Sequence, residues 1–252
     1  MILIIEIGNS NIVIVLYENQ TKIAQFRIRT IIGKTSDEYL IDLDSFFNAK
    51  NIERSLIRES VMASVVAPLI PVFQKTIFDL LGSQCRVVDW MSIPTMPIEV
   101  EEPNGLGIDR LINAFAAYDL FGKALIVIDM GTATTFDVVS KDGKYLGGVI
   151  SPGLLLSLNA LISNTNKLPK IELVVPESVI GKNTIHAMQS GAIYGYAGMV
   201  DAMVVQIKNE LGYEAKVIAT GGLANVVKTI SSEIEKVIDD LTVEGLLKIS
   251  QL

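Results

Sequence analysis

Two stretches of this sequence, far apart along the chain, are built on one plan, and that repetition restricts the fold more than any other feature. Ile2–Glu6 is a β-branched apolar run that ends in an acid and meets Gly8-Asn9-Ser10-Asn11. Leu125–Asp129 is a second such run, followed by Met130-Gly131-Thr132-Ala133-Thr134-Thr135. A shift of 123 positions (6 to 129) lays Glu6 on Asp129, Gly8 on Gly131, Asn9 on Thr132 and Asn11 on Thr134. The downstream residues match too. Ile12–Tyr17 and Ile23–Ile28 read as strands around a turn at Glu18–Gln20, and Phe136–Val139 and Tyr145–Ile150 repeat them around Asp142-Gly143. Each copy is then a meander of three antiparallel strands, and an internal duplication accounts for the match. The expectation is two domains, 1–117 and 118–252, with no low-complexity linker between them.

Helical spacing marks Asp37–Phe47, the stretch from Pro68 onward, and Asp109–Phe121 with its Leu111, Ala114, Phe115, Tyr118 stripe. Ser60–Val66 and Lys216–Ala219 read as strands, and Val100–Leu106 as a loop. Half of the 252 residues are hydrophobic and the mean hydropathy is +0.43, yet no apolar run approaches the ~18–20 residues of a spanning helix. Met1–Ile5 meets Glu6 at once with no basic residue before it, unlike a signal peptide. Strands buried on both faces of a layered α/β fold account for the hydrophobicity. The expectation is a cytoplasmic protein.

Composition also restricts the chemistry. One cysteine (Cys85) excludes an internal disulfide and a cysteine-cluster zinc site, and one histidine (His186) excludes two-histidine metal sites. A net charge of −7 argues against nucleic acid and anionic membranes as partners. Carboxylates, hydroxyls, backbone amides, lysine and arginine are left to do the work.

An acid at a strand end, then glycine, then hydroxyl or amide residues turning into the next strand, suits phosphate. Glycine lets the backbone approach, so that N–H groups point at phosphate oxygens. Asn9, Ser10, Asn11, Thr132, Thr134 and Thr135 add donors, and the acids suit a hard cation beside the phosphates. A single hairpin of this kind is equally an ordinary capped turn; the pair favours nucleotide binding. No G-x-x-x-x-G-K-[ST] string exists, and Gly105-Leu106-Gly107-Ile108-Asp109-Arg110 lacks the third glycine of a dinucleotide loop. Asp109-Arg110, at a helix start, fits either a helix cap or a proton acceptor beside an anion-binding guanidinium. His186 reads as a surface or packed residue, and Cys85 and Trp90 belong to no motif. Gly221-Gly222 fits a tight turn or a seat for a nucleotide base or ribose.

Taken in order, these segments resemble the type III pantothenate kinases, of the acetate/sugar-kinase, heat-shock ATPase and actin superfamily. The matching segments are Glu6-Ile7-Gly8-Asn9-Ser10-Asn11, Gly107-Ile108-Asp109-Arg110, Asp129–Thr135, Gly147–Gly153, Thr165–Pro169, Gly181–Gly191 and Ala219-Thr220-Gly221-Gly222. The resemblance implies duplicated ribonuclease-H-like domains, each a mixed sheet with helices, with a cleft between them. It implies ATP-dependent phosphorylation of pantothenate, the first step of coenzyme A biosynthesis. By the match, Asp109 is the general base; Gly107, Ile108, Asp109, Arg110 and Thr184 contact pantothenate; Glu6, Ile7, Gly8, Asn9, Ser10, Asn11, Ile12, Val13 and Thr132 hold ATP. Asp129 takes a monovalent cation, potassium or ammonium, and Mg²⁺ sits near Glu6, directly or through water. A homodimer completes the substrate pocket at its interface. Three positions depart from the family pattern: Glu6 stands for aspartate, Val100 for a tyrosine of many members, and Leu155 for a commonly basic residue. Those departures also fit a weakly active nucleotide-binding accessory relative, or a kinase of another small hydroxy acid.

Overall fold

The first apolar run forms β1 (Ile2–Ile7), antiparallel to β2 (Asn11–Glu18), which is antiparallel to β3 (Thr21–Arg29). Helix α1 (Ser36–Ala49) follows, started by a capping box in which Thr35 and Glu38 satisfy each other's backbone N–H groups. Then come β4 (Glu59–Ser64), α2 (Leu69–Leu81) and β5 (Arg86–Val87), with β4 parallel to β1 and β5 parallel to β4. The sheet order is β3-β2-β1-β4-β5. Leu3, Ile5, Ile7, Ile12, Ile14 and Leu16 turn one face onto Tyr39, Phe47, Phe73 and Ile77 of α1 and α2. Burying each such side chain stabilises the fold by roughly 1.5–3 kcal/mol.

Helix α3 (Ile108–Phe121) leads into β6 (Leu125–Met130), β7 (Ala133–Val139) and β8 (Tyr145–Pro152). The rest of the chain runs through α4 (Leu154–Ser163), α5 (Thr184–Leu211), β9 (Lys216–Thr220), α6 (Ala224–Lys228), β10 (Lys236–Val237) and α7 (Leu241–Ser250). The second sheet has the order β10-β9-β6-β7-β8, the same meander followed by two parallel strands. The two sheets share one topology, as the repeat predicts, and match the ribonuclease-H-like domains that the resemblance implies. The computed structural model describes residues 1–93 and 95–252. It divides into two compact units, one of Met1–Thr95, Glu102–Ala116 and Thr242–Leu252, the other of Met96–Glu101 and Ala117–Leu241. Besides the division at Ala116/Ala117, the last helix, α7, thus packs with the first unit, where Gly245 lies against Ile112 and Ala116 of α3.

The repeat is finer than a constant offset. β1 and β6 stand 123 apart (2 to 125), but the return strand does not: Ile7 pairs with Ile12, whereas Met130 pairs with Thr134. The first loop closes by Gly8 N–H donating to Asn11 O (3.0 Å), the second by Gly131 N–H donating to Ala133 O (3.0 Å). The second loop is therefore one residue shorter, and the counterpart of Asn11 is Ala133, not Thr134. Register shifts in both sheets, at Leu16/Tyr17 and Val138/Val139, keep that 122-residue spacing (16 to 138). The next turn is one residue longer in the second copy, and the ends of β3 and β8 are again 123 apart (29 to 152).

Candidate active site

In the first unit, Glu6 lies at the end of β1, and Asn9, Ser10 and Asn11 are exposed on the loop beyond it. The side chains of Ile7 and Ile12 are buried in the core under that loop, and Val13 is buried as well. Of Glu6–Val13, then, those three offer a ligand only main-chain groups, while their side chains anchor the turn. Thr30, just past β3, fixes the loop from the side: its N–H donates to Ser10 O (3.0 Å) and its hydroxyl to Gly8 O (2.6 Å).

Gly107, Ile108, Asp109 and Arg110 form the entry to α3. The Gly107 carbonyl accepts from Arg110 N–H (3.1 Å), and Asp109 Oδ1 accepts from the same N–H (2.8 Å). The carboxylate is thus held by its own helix start, partly buried. A Cβ on Gly107 would stand 2.7 Å from Asp109 Oδ1, so glycine here leaves the carboxylate its place. Burial pushes the Asp109 carboxyl above its ordinary value, and the Arg110 amide and guanidinium offset part of that rise. A carboxylate of raised basicity is chemically suited to take a proton from a hydroxyl.

In the second unit, Asp129 ends β6 and Thr132 is exposed on the short loop. Gly153 N–H donates to Thr132 O (3.1 Å), repeating the Thr30–Ser10 bond of the first unit. No side chain fits here, because a Cβ on Gly153 would lie 2.4 Å from Thr132 O and 2.5 Å from Gly131 O. Gly221, at φ 94° after β9, approaches the other flank: its missing Cβ would lie 2.7 Å from both Asp129 Oδ1 and Met130 O. Both oxygens border the space that a side chain on Gly221 would fill, and oxygen is the donor type that hard cations take. Among the described residues no group of three or more His, Cys, Asp or Glu gathers as a metal cluster.

Two hydroxyls expected to face a phosphate are engaged elsewhere. Thr134 is fully buried and hydrogen-bonded to the Tyr196 hydroxyl on α5. Thr135 donates to Asp137 (3.0 Å), whose other oxygen accepts from the buried Tyr145 hydroxyl (2.7 Å). The shorter loop is the reason, since it draws Thr134 into the strand pairing.

Thr184 opens α5, whose cap is Asn183, its side chain accepting from His186 N–H (2.9 Å). His186 itself is exposed, as expected of a surface residue. Thr184 borders a cavity of about 870 Å³ between α4 and α5, lined also by Leu158, Leu161, Leu168, Met188 and Tyr196. Reading the sequence for polar motifs missed these five. The leucine-rich run Leu154–Leu161 was the available signal. Val100 lies beside Gly147 of β8, and Leu155 is exposed on α4.

Comparison with known proteins decides the family. Residues 2–206 match the family model described as type III pantothenate kinase. The chain belongs to the type III pantothenate kinase family. Among curated members, the type III pantothenate kinase of Geotalea uraniireducens is 42% identical over 98% of this chain and 96% of its own. That of Myxococcus xanthus is 41% identical over 98% and 96%. Beyond the family, component A of the (R)-2-hydroxyglutaryl-CoA dehydratase of Acidaminococcus fermentans shares the fold. Its TM-score is 0.53 at 12% identity, over 97% of this chain and 94% of that one.

Proposed function

We infer that this family member transfers the terminal phosphoryl group of ATP to the primary hydroxyl of pantothenate, opening coenzyme A biosynthesis. The observation that carries the reading is the near-full-length match, at about 40% identity, to proteins named for that reaction. Asp109 takes the hydroxyl proton, the freed oxygen attacks the γ-phosphorus, and the bond to the ADP oxygen breaks. Gly107, Ile108, Arg110 and Thr184 orient pantothenate, with Arg110 pairing its carboxylate. The amides and side chains of Glu6–Val13, together with Thr132, hold the phosphates. Most of the catalysis is positioning and charge neutralisation. Asp129, with Met130 O, would hold a monovalent cation, and Glu6 a Mg²⁺, directly or through water; bound there, they would neutralise phosphate charge.

A homodimer is part of the same reading. Ile150, Leu155, Leu156, Leu161 and Ile185 are exposed around the cavity, and Ile180 is 81% exposed. Exposed apolar side chains at these positions support the reading of this face as an interface between two copies. A second copy laid on it would close the pocket beside Thr184. Among the described residues no helix is long and apolar enough to cross a membrane, and the substrates suit a cytoplasmic setting.

The test is turnover by purified protein with ATP, pantothenate, Mg²⁺ and K⁺. Phosphopantothenate, seen by mass spectrometry, is the expected product. Tight nucleotide binding without product would instead support the accessory reading raised by Glu6, and preferred phosphorylation of another hydroxy acid would redirect the substrate. Sedimentation at micromolar concentration should show a dimer that Ile180→Glu weakens.

A further inference from the structure

The Thr134–Tyr196 hydrogen bond joins two parts of the second unit that sequence keeps 62 residues apart. Thr134 is the first β7 residue to pair with β6 after the short loop, opposite Met130, and its neighbour Thr135 lies opposite Asp129. Tyr196 lies near the middle of α5, in the core cluster with Ile126, Ile128 and Val200, and lines the cavity that Thr184 borders. Both residues are buried, Thr134 completely, so the Thr134 hydroxyl has no water as an alternative partner. Burial raises the Tyr196 phenol above its ordinary value, the Thr134 bond opposing and the Asp129 charge adding to the rise; the phenol stays protonated, and either hydroxyl can be the donor in the pair.

We propose that Tyr196 is a positioning residue for the second phosphate loop, its hydroxyl holding the Thr134 end of Gly131-Thr132-Ala133 while its ring forms the cavity wall. The first copy needs no such tie. Its loop is clamped by the Thr30 side chain, whereas the corresponding position in the second copy is Gly153, which has no side chain to offer. The α5 tyrosine thus replaces from below the hold that Thr30 supplies from the side. The inference rests on the second loop binding nucleotide, as the proposed function has it.

Tyr196→Phe and Thr134→Val each remove one hydroxyl and keep the shape. Calorimetric titration with a non-hydrolysable ATP analogue, in the absence of pantothenate, should show affinity weakened about five- to ten-fold in either variant. The double variant should be no weaker than the singles, because one interaction is lost in all three. Hydrogen exchange should quicken at the Gly131–Ala133 amides, and in turnover KM for ATP should rise more than KM for pantothenate. Thr134→Ser, which keeps the hydroxyl, should retain near wild-type affinity, and Thr134→Val carries the test if Tyr196→Phe does not fold. Unchanged nucleotide affinity with unchanged loop exchange overturns the proposal, as do additive losses in the double variant. A wild-type protein that binds nucleotide but leaves pantothenate unphosphorylated would overturn the proposed substrate instead, with the titrations still readable.

Discussion

Gly221 and Gly222 are neighbours with opposite expectations. Gly221 has φ 94°, a conformation costing an L residue about 1–2 kcal/mol. A methyl there would also stand 2.7 Å from Asp129 Oδ1 and from Met130 O, several tenths of an ångström inside normal contact. Relieving such overlap costs about 1–3 kcal/mol, because backbone as well as side chain must move. Gly221→Ala should therefore lose roughly 3 kcal/mol of stability. At about 2–4 °C per kcal/mol for a chain of this size, the melting point falls by roughly 6–12 °C. Turnover should fall as well, measured well below the melting point, because the Asp129 carboxylate is the group displaced. Gly222 has nothing within 4 Å of its missing Cβ and no positive φ. Gly222→Ala should change stability by less than about 0.5 kcal/mol or raise it slightly, through a less flexible unfolded chain. Calorimetric melting of the three proteins side by side is the assay. A Gly221→Ala protein that melts with wild type, or a Gly222→Ala protein that falls as far, would refute the steric reasoning.

Asp109→Asn should lower kcat by roughly 10²–10⁴-fold while sparing nucleotide affinity, read by single-turnover kinetics and titration calorimetry. Because burial raises the Asp109 pKa, its favourable contribution to folding exists at low pH and is lost as pH rises through the folded value. The asparagine variant should consequently melt higher than wild type at pH 7, and the acid limb of wild-type kcat/KM should lie above the ordinary aspartate value of about 3.9. At Asp201 the sign reverses. Burial pushes that carboxyl up, but the Ser231 and Ser232 hydroxyls and the Ser232 and Glu233 amides hold it below its ordinary value. Asp201→Ala should cost roughly 1–2 kcal/mol near neutrality, a difference from wild type that shrinks as pH falls through the depressed folded value. Gly153→Ala should push the second loop out of place and weaken ATP-analogue binding, while Gly191→Ala, with open space at its Cβ, should not.

The meanders were legible because their signal is local: β-branched runs, turn residues and acids in fixed order. Every strand of both meanders lies close to where the apolar runs and turn residues placed it, the largest differences falling at strand ends. The helix at Asp109 was equally plain from its stripe and begins at Ile108. Two-residue strands such as β5 and β10 left no pattern, because each is only one edge pairing on a parallel neighbour. Thr134 was misplaced for a different reason. A constant offset assumes equal loops, and only hydrogen bonding shows that one loop is a residue shorter. Asp137 shows the same limit: a carboxylate in an apolar run gave no hint that Thr135 and Tyr145 would satisfy it in the interior. The cavity lining escaped because apolar residues with helical spacing look alike, whether they face a core, a pocket or another subunit.

The uneven loops also decide how the two copies can be recombined. Along a strand, a slip of one residue sends every side chain to the opposite face. A graft of Gly8–Asn11 into the second copy must therefore replace three residues, Gly131–Ala133, with four, so that Thr134 still meets Met130. An equal-length exchange would turn β7 inside out. It would carry Phe136 and Val138 from the core to the other side and Asp137 into their place. The duplicated halves have drifted into parts with different gauges, interchangeable at their hydrogen-bonded joints but not at their residue numbers.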